Sequence, residues 1–288
     1  MLGYRIKTLL ATALSKTAVS DALIGAQRRL RGPAFLRAIN YHATPACDAA
    51  RLAHQLAFLA RHFVGVSLTD LDAFFAAGVW PHDKPGLLIT FDDGLLCNLE
   101  VAVPLLERYG FTGWFFIPTA FADCPDETQH EFAQRHEIGA GAAMSAGRLA
   151  MSWSELRALA ARHVVGCHTM HHRRLPAGVP LEEMRGQVVE AKRTMESRLG
   201  IEVSTFCWVG GEEVSYSAAA AALIREAGFR YSFMTSSGVT TQRTNRLQLQ
   251  RTNIETSFPL DLVKFQLCGA MDLFHCARRT RINRLTAG

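Results

Sequence analysis

The sequence predicts an α/β fold on a parallel sheet that closes, or nearly closes, on itself. Short apolar runs rich in strand formers alternate about seven times with stretches of helical periodicity. The runs end at Gly, Pro or polar clusters, as buried strands do. Three of those ends gather acids or histidines: His42, Asp92-Asp93 and His168 to His172. Barrel enzymes keep their chemistry at the C-terminal ends of the strands.

Composition sets the frame for this reading. A chain of 288 residues, 49% hydrophobic and 20% charged, can bury a large core, and the steady alternation favours one domain. The net charge of +5 is unevenly spread. Residues 1–37 hold seven Lys or Arg against Asp21 alone, and residues 273–288 hold four Arg and no acid, so the body between is acidic. Basic flanks suit contact with an anionic membrane surface. Nucleic acid is not expected, because no basic face is interleaved with aromatics. Seven cysteines without a Cys-x-x-Cys argue for a reducing compartment. The expected location is therefore cytoplasmic, or peripheral at the inner membrane face.

Arg5 and Lys7 before Thr8 to Leu14 mimic a signal peptide, but Lys16 interrupts the run and no cleavage site follows. Leu2, Ile6, Leu9 and Ala13 fall at helical spacing, which predicts an amphipathic helix packed on the body or lying on a membrane. The expected division is a basic N-terminal helix over 1–34, a barrel over 35–275 and a basic tail over 276–288. No stretch is apolar and long enough to span a bilayer.

The elements follow in order. Phe35 to Tyr41 reads as a strand ending at His42. Leu52, Leu56, Leu59 and Phe63 mark a helix, Val64 to Val66 a short strand, and Thr69 opens a helix burying Leu71, Phe74, Phe75 and Val79. Gly86 to Phe91 is a buried strand; Leu99 to Tyr109 is a helix in which Pro104 sets a kink or the true start. Trp114 to Ile117 is the next strand, and residues 122–147 read as a mobile loop near the substrate opening. Ser152 and Glu155 form a capping box for a helix through Ala161. After the histidines, Pro180 starts a long helix burying Leu181, Met184, Val188, Ala191, Met195 and Leu199, with Gly200 as its stop. Strands over Thr205–Trp208, Arg230–Met234 and Leu247–Gln250 enclose a helix over Ser217–Ala227, and Pro259 opens a last helix through Leu273.

Two neighbouring acids at a strand end resist joint ionisation unless positive charge stands by. Strand side chains alternate, so Asp92 and Asp93 serve one site only where the strand breaks, and Gly94 permits a break. A helix cap with one solvated acid is the simpler alternative for this stretch alone. The histidines alter that balance. A carboxylate with two imidazoles is a recurrent ligand set, and His168 is followed by His171 three residues on and His172 four on. Spacing alone leaves the second histidine open.

Thr90-Phe91-Asp92-Asp93-Gly94, followed by His168-Thr169-Met170-His171-His172, resembles the polysaccharide deacetylase (NodB-homology) family, carbohydrate esterase family 4. Met151 to Leu156 is similar to the segment leading into the histidine strand, and Phe206 to Gly211 sits where members carry Phe-Ala-Tyr-Pro-Tyr-Gly. The likeness runs from about Asn40 to about Phe274 and implies a distorted (β/α)7 barrel. Tyr41-His42 resembles a motif of members with a permuted barrel, where the histidine lies at the active site; capping or core-edge packing is the plainer role. The family pattern implies a divalent metal, Zn2+ before cobalt, nickel or iron, on Asp93, His168 and His172. It implies Asp92 as general base, and His42 would be the general acid. Metal-acidified water, a carboxylate base and an imidazole acid meet the needs of amide hydrolysis. The implied partner is an N-acetylated sugar or glycan, touched by Trp208 and by the N–H of Gly210.

Trp208-Val209-Gly210 departs from the family's aromatic-proline-aromatic and puts a long glycan in question. Competing readings are a deacylase or deformylase of a non-polymeric or non-sugar amide, a non-haem Fe(II) oxygenase with the same ligand types, and an inactive binding barrel. The oxygenase gives Asp92 no role.

Overall fold

The computed structural model describes residues 19–78, 80–139 and 147–287. The expected helix positions Leu2, Ile6, Leu9 and Ala13, together with Val79 and the Gly-Ala run at 140–146, lie outside them. Among the described residues nine strands form one sheet: β1 (Leu36–Tyr41), β2 (Val64–Gly65), β3 (Gly86–Phe91), β4 (Gly113–Ile117), β5 (Val164–Cys167), β6 (Thr205–Cys207), β7 (Tyr231–Met234), β8 (Val239–Thr240) and β9 (Leu249–Asn253). Strands β3 to β7 and β9 neighbour one another in parallel, and β1 pairs in parallel with both β9 and β3. That double pairing closes a seven-stranded barrel, as the sequence predicts. Strand β2 lies on β3, and β8 runs antiparallel beside β1.

The two faces of these strands differ by the period of two. Ile39, Tyr41, Leu87, Ile89, Phe91, Phe115 and Ile117 share a cluster with helix residues such as Leu52, Leu56 and Met195, which makes them the outer face. Leu36, Ala38, Leu88, Trp114, Phe116, Phe233 and Leu249 form a second buried cluster inside the barrel. The helix Leu68–Ala76 and Trp80 plug its N-terminal end through Leu71 and Phe74. Each of these buried rings contributes about 1.5–3 kcal/mol of apolar transfer. Toward the C-terminal end the same inward positions turn polar: Asn40 and His42, Thr90 and Asp92, Arg251 and Asn253. Apolar filling below and polar groups above place a wet site at the top of a dry barrel.

Several boundaries differ from expectation. The helix expected to open at Thr69 starts instead at Leu68, because Ser67 and Asp70 form a reciprocal cap. Pro104 stands in the first turn of Val103–Arg108, and a π turn at Asn98–Ala102 precedes it. Leu181 is 54% exposed rather than buried. It is the first residue of a helix whose buried stripe begins at Met184, and a π turn over Gly186–Glu190 keeps Val188 and Met195 on that stripe. The segment after Pro259 breaks at Gly269, with φ +94°, into Leu260–Leu267 and Ala270–Phe274. The expected basic tail is a helix, Cys276–Leu285, held by Arg279 donating to the carbonyl of Ser236 and by Arg281 paired with Glu213.

Candidate active site

Asp92 and Asp93 leave β3 on opposite courses. Asp92 continues the inward alternation of Leu88 and Thr90. Asp93 takes φ +74°, a left-handed angle that is strained for a residue with a Cβ, and Gly94 follows at +68°. The break expected of the glycine alone is therefore shared by the acid. Thr169 and His172 also hold positive φ, at 66° and 52°. Such strain is commonly concentrated at functional sites.

His168 and His172 approach the same oxygen. Asp93 Oδ1 lies 3.1 Å from His172 Nε2 and 3.7 Å from His168 Nε2. Each histidine uses its other nitrogen on backbone: His168 Nδ1 donates to the carbonyl of Cys207 at 2.9 Å, and His172 Nδ1 to that of His136 at 2.6 Å. With Nδ1 protonated, a neutral ring turns a lone pair outward at Nε2. His171 turns elsewhere, to Gln187, so the histidine that stands with His168 beside Asp93 is His172.

Asp93 Oδ2 accepts from the N–H of Gly139 at 3.0 Å, whereas the buried Oδ1 has no hydrogen-bond partner among the described residues. An unpartnered buried carboxylate oxygen facing two nitrogen lone pairs is unfavourable unless a cation stands among them. A proton on His172 is one answer: burial lowers its basicity, but Asp93 more than compensates and the balance is upward. A divalent metal is the other. The three donor atoms lie within 4.8 Å of one another, and ligands about 2.0–2.1 Å from one tetrahedral ion stand roughly 3.3 Å apart. The residues fit such an ion. His168 suits it further, since burial pushes its pKa down to about 4 and keeps it neutral at pH 7.

Asp92 is 3% exposed and gripped by Arg251, with Nη1 to Oδ1 at 2.6 Å and Nη2 to Oδ2 at 2.8 Å. Burial alone would raise its pKa; the charge of Arg251, then that of His168, reverses this and keeps it ionised. Arg251 also donates to Thr90 Oγ1 and lies over the Phe116 ring. Sequence reasoning missed both Arg251 and the Gly139 N–H. The strand expected over Leu247–Gln250 is displaced to Leu249–Asn253, and its inward polar residues were the available signal.

His42 reaches the cavity wall from the end of β1, with Nδ1 3.3 Å from Glu255 Oε1. Burial, the largest single influence, lowers its pKa, but the Glu255 hydrogen bond and the charges of Asp93 and Asp92 outweigh it and bring it to about 9. Trp208 is buried, its indole N–H on Ser232 Oγ, and it forms part of the wall. Gly210, at φ +80°, lines the cavity beside it. The cavity holds about 640 Å³ and takes in all of these groups.

A closed parallel barrel with a paired carboxylate and a carboxylate-imidazole cluster at its strand ends defines a barrel hydrolase of carbon–nitrogen bonds other than peptide bonds. The chain belongs to the polysaccharide deacetylase family, which matches residues 81–232. Its fold is similar to that of the Streptococcus pyogenes deacetylase PplD in complex with acetate (14% identity, 82% of this chain and 99% of that one, TM-score 0.64). It is also similar to a de-N-acetylase from Aggregatibacter actinomycetemcomitans (12% identity, 81% and 99%, TM-score 0.62). IcaB from Ammonifex degensii superposes with TM-score 0.58 at 18% identity, covering 82% and 97%. No curated protein matches the sequence.

Proposed function

We propose that the chain is a metal-dependent de-N-acetylase of an N-acetylated amino sugar or glycan. The observation that carries this is the unpartnered Asp93 Oδ1 between the two imidazoles. Asp93, His168 and His172 would hold the ion, Zn2+ by donor type; when bound it supplies an acidified water and a Lewis acid for the amide carbonyl.

The remaining steps fall to this chain's own residues. Asp92 takes the proton of the attacking water on a carboxylate lone pair that Arg251 leaves free, since each oxygen accepts only one of the two guanidinium bonds. Held by the fork, the carboxylate cannot swing away from the water. His42, protonated through Glu255, gives its proton to the departing nitrogen. The N–H of Gly210 and the wall at Trp208 would orient the acyl group and sugar. Asp92→Asn is the test: acetate release from N-acetylglucosamine oligomers should be lost while bound metal is retained. Activity unchanged in that variant would overturn the reading.

We also propose peripheral contact with an anionic membrane. No described helix is long and apolar enough to cross one. The helix Val19–Arg31 ends in Arg28, Arg29 and Arg31 with Leu30 87% exposed, a combination suited to a headgroup layer. Deleting residues 1–31 should abolish binding to anionic liposomes; unchanged binding would remove this contact.

A further inference from the structure

Beside the catalytic cavity lies a side pocket of about 210 Å³. The two share Thr235, Arg251, Asn253 and Arg278 in their walls and so lie side by side. Their chemistry differs. Six carboxylates line the main cavity, whereas none among the described residues lines the side pocket. Its outer wall comes from the C-terminal helices through Gln266, His275 and Arg278.

Four buried polar atoms of its lining, Arg251 Nε among them, have no partner among the described residues. Ser236, 1% exposed, has an unpartnered Oγ. Arg278 donates from Nη2 to the carbonyl of Thr235, but its Nε is buried and unpaired, and no described carboxylate forms an ion pair with it. Gln266, 6% exposed, uses Nε2 on the carbonyl of Asn253 and leaves Oε1 without a donor. A guanidinium with an unpartnered Nε beside an unpartnered hydroxyl calls for an oxyanion, because charge-assisted bonds from Arg are the strongest the pocket can make. The free amide oxygen calls for a hydroxyl beside that anion.

We infer that this side pocket is an oxyanion subsite, binding a phosphate or carboxylate on the hydroxyl-bearing sugar whose acetamido group lies in the main cavity. This rests on the de-N-acetylase reading and narrows its substrate to an acidic amino sugar.

The test uses ligands without an amide, so that no turnover intervenes. Calorimetry on the metal-loaded protein compares glucose, glucose 1-phosphate and glucuronate. At least one anionic sugar should bind about tenfold tighter than glucose. The arm that does so identifies the anion as phosphate or carboxylate. In Arg278→Gln the preference should fall to within about twofold. Ser236→Ala, which removes a hydroxyl without a partner among the described residues, should weaken it while leaving the melting temperature unchanged. Equal affinity for all three sugars, or a preference that survives Arg278→Gln, overturns the subsite. Acetate release measured in parallel separates the two claims: release without anion preference sinks the subsite alone, and anion preference without release sinks the activity alone.

Discussion

Asp92 and Arg251 form a two-pronged ion pair inside the barrel, with both carboxylate oxygens engaged at 2.6 and 2.8 Å. Strands β3 and β9 meet there across β1, so the pair ties the closure of the barrel to the placement of the carboxylate. Arg251→Met leaves a buried charge without its partner, which costs about 3–5 kcal/mol. It should also raise the Asp92 pKa and move the acid limb of the rate profile upward. A depressed folded pKa stabilises above the unfolded value and is lost as pH falls through the folded one. Urea titrations at pH 7 and pH 3 should therefore show a smaller difference in the variant than in the wild type. Arg251→Lys keeps the charge but not the fork, and should recover stability more than activity.

Asp92→Asn separates base from ligand. Loss of a positioned base lowers kcat by about 10²–10⁴-fold, and metal content should not change. Single-turnover acetate release with metal analysis on the same sample checks both.

His42 acts as an acid only while protonated, so activity should fall as pH rises through its pKa of about 9. Its stabilising contribution has the same sign, present below the unfolded value and lost as pH rises through the folded one. Glu255→Gln keeps an acceptor for His42 but removes the carboxylate charge that helps raise this pKa, and should move the alkaline limb downward with little change on the acid side. A pH–kcat profile measures this directly.

The capping box at Ser152 and Glu155 leads into the histidine strand. Arg148 and the cap bonds hold the Glu155 pKa at about 2, so its contribution persists above pH 4.5 and disappears only as pH falls toward that value. Ser152→Ala should cost about 0.5–2 kcal/mol in thermal or urea unfolding, with kcat unaffected.

Much of the barrel is legible because apolar runs with sharp ends leave few other arrangements. Phe91-Asp92-Asp93 and Cys167-His168 announce their strand ends by an abrupt change of polarity. Arg251 is harder to find, since Gln250-Arg251-Thr252 looks like a solvated edge; its burial follows only when barrel closure turns that face inward. Gly139 donates across 46 residues from a segment with no periodicity, which no local pattern can reveal. The π turns at Asn98 and Gly186 likewise depend on tertiary packing, which holds buried stripes in line where ideal helices would drift.

The proposed chemistry depends on one divalent ion shared by Asp93, His168 and His172. Metal analysis of the purified wild type, set beside His172→Ala, tests it most directly. About one ion per chain is expected in the wild type, and its loss, together with loss of acetate release, in the variant. A wild type that releases acetate at full rate after exhaustive chelation, or a His172→Ala protein with metal content and activity intact, would contradict it.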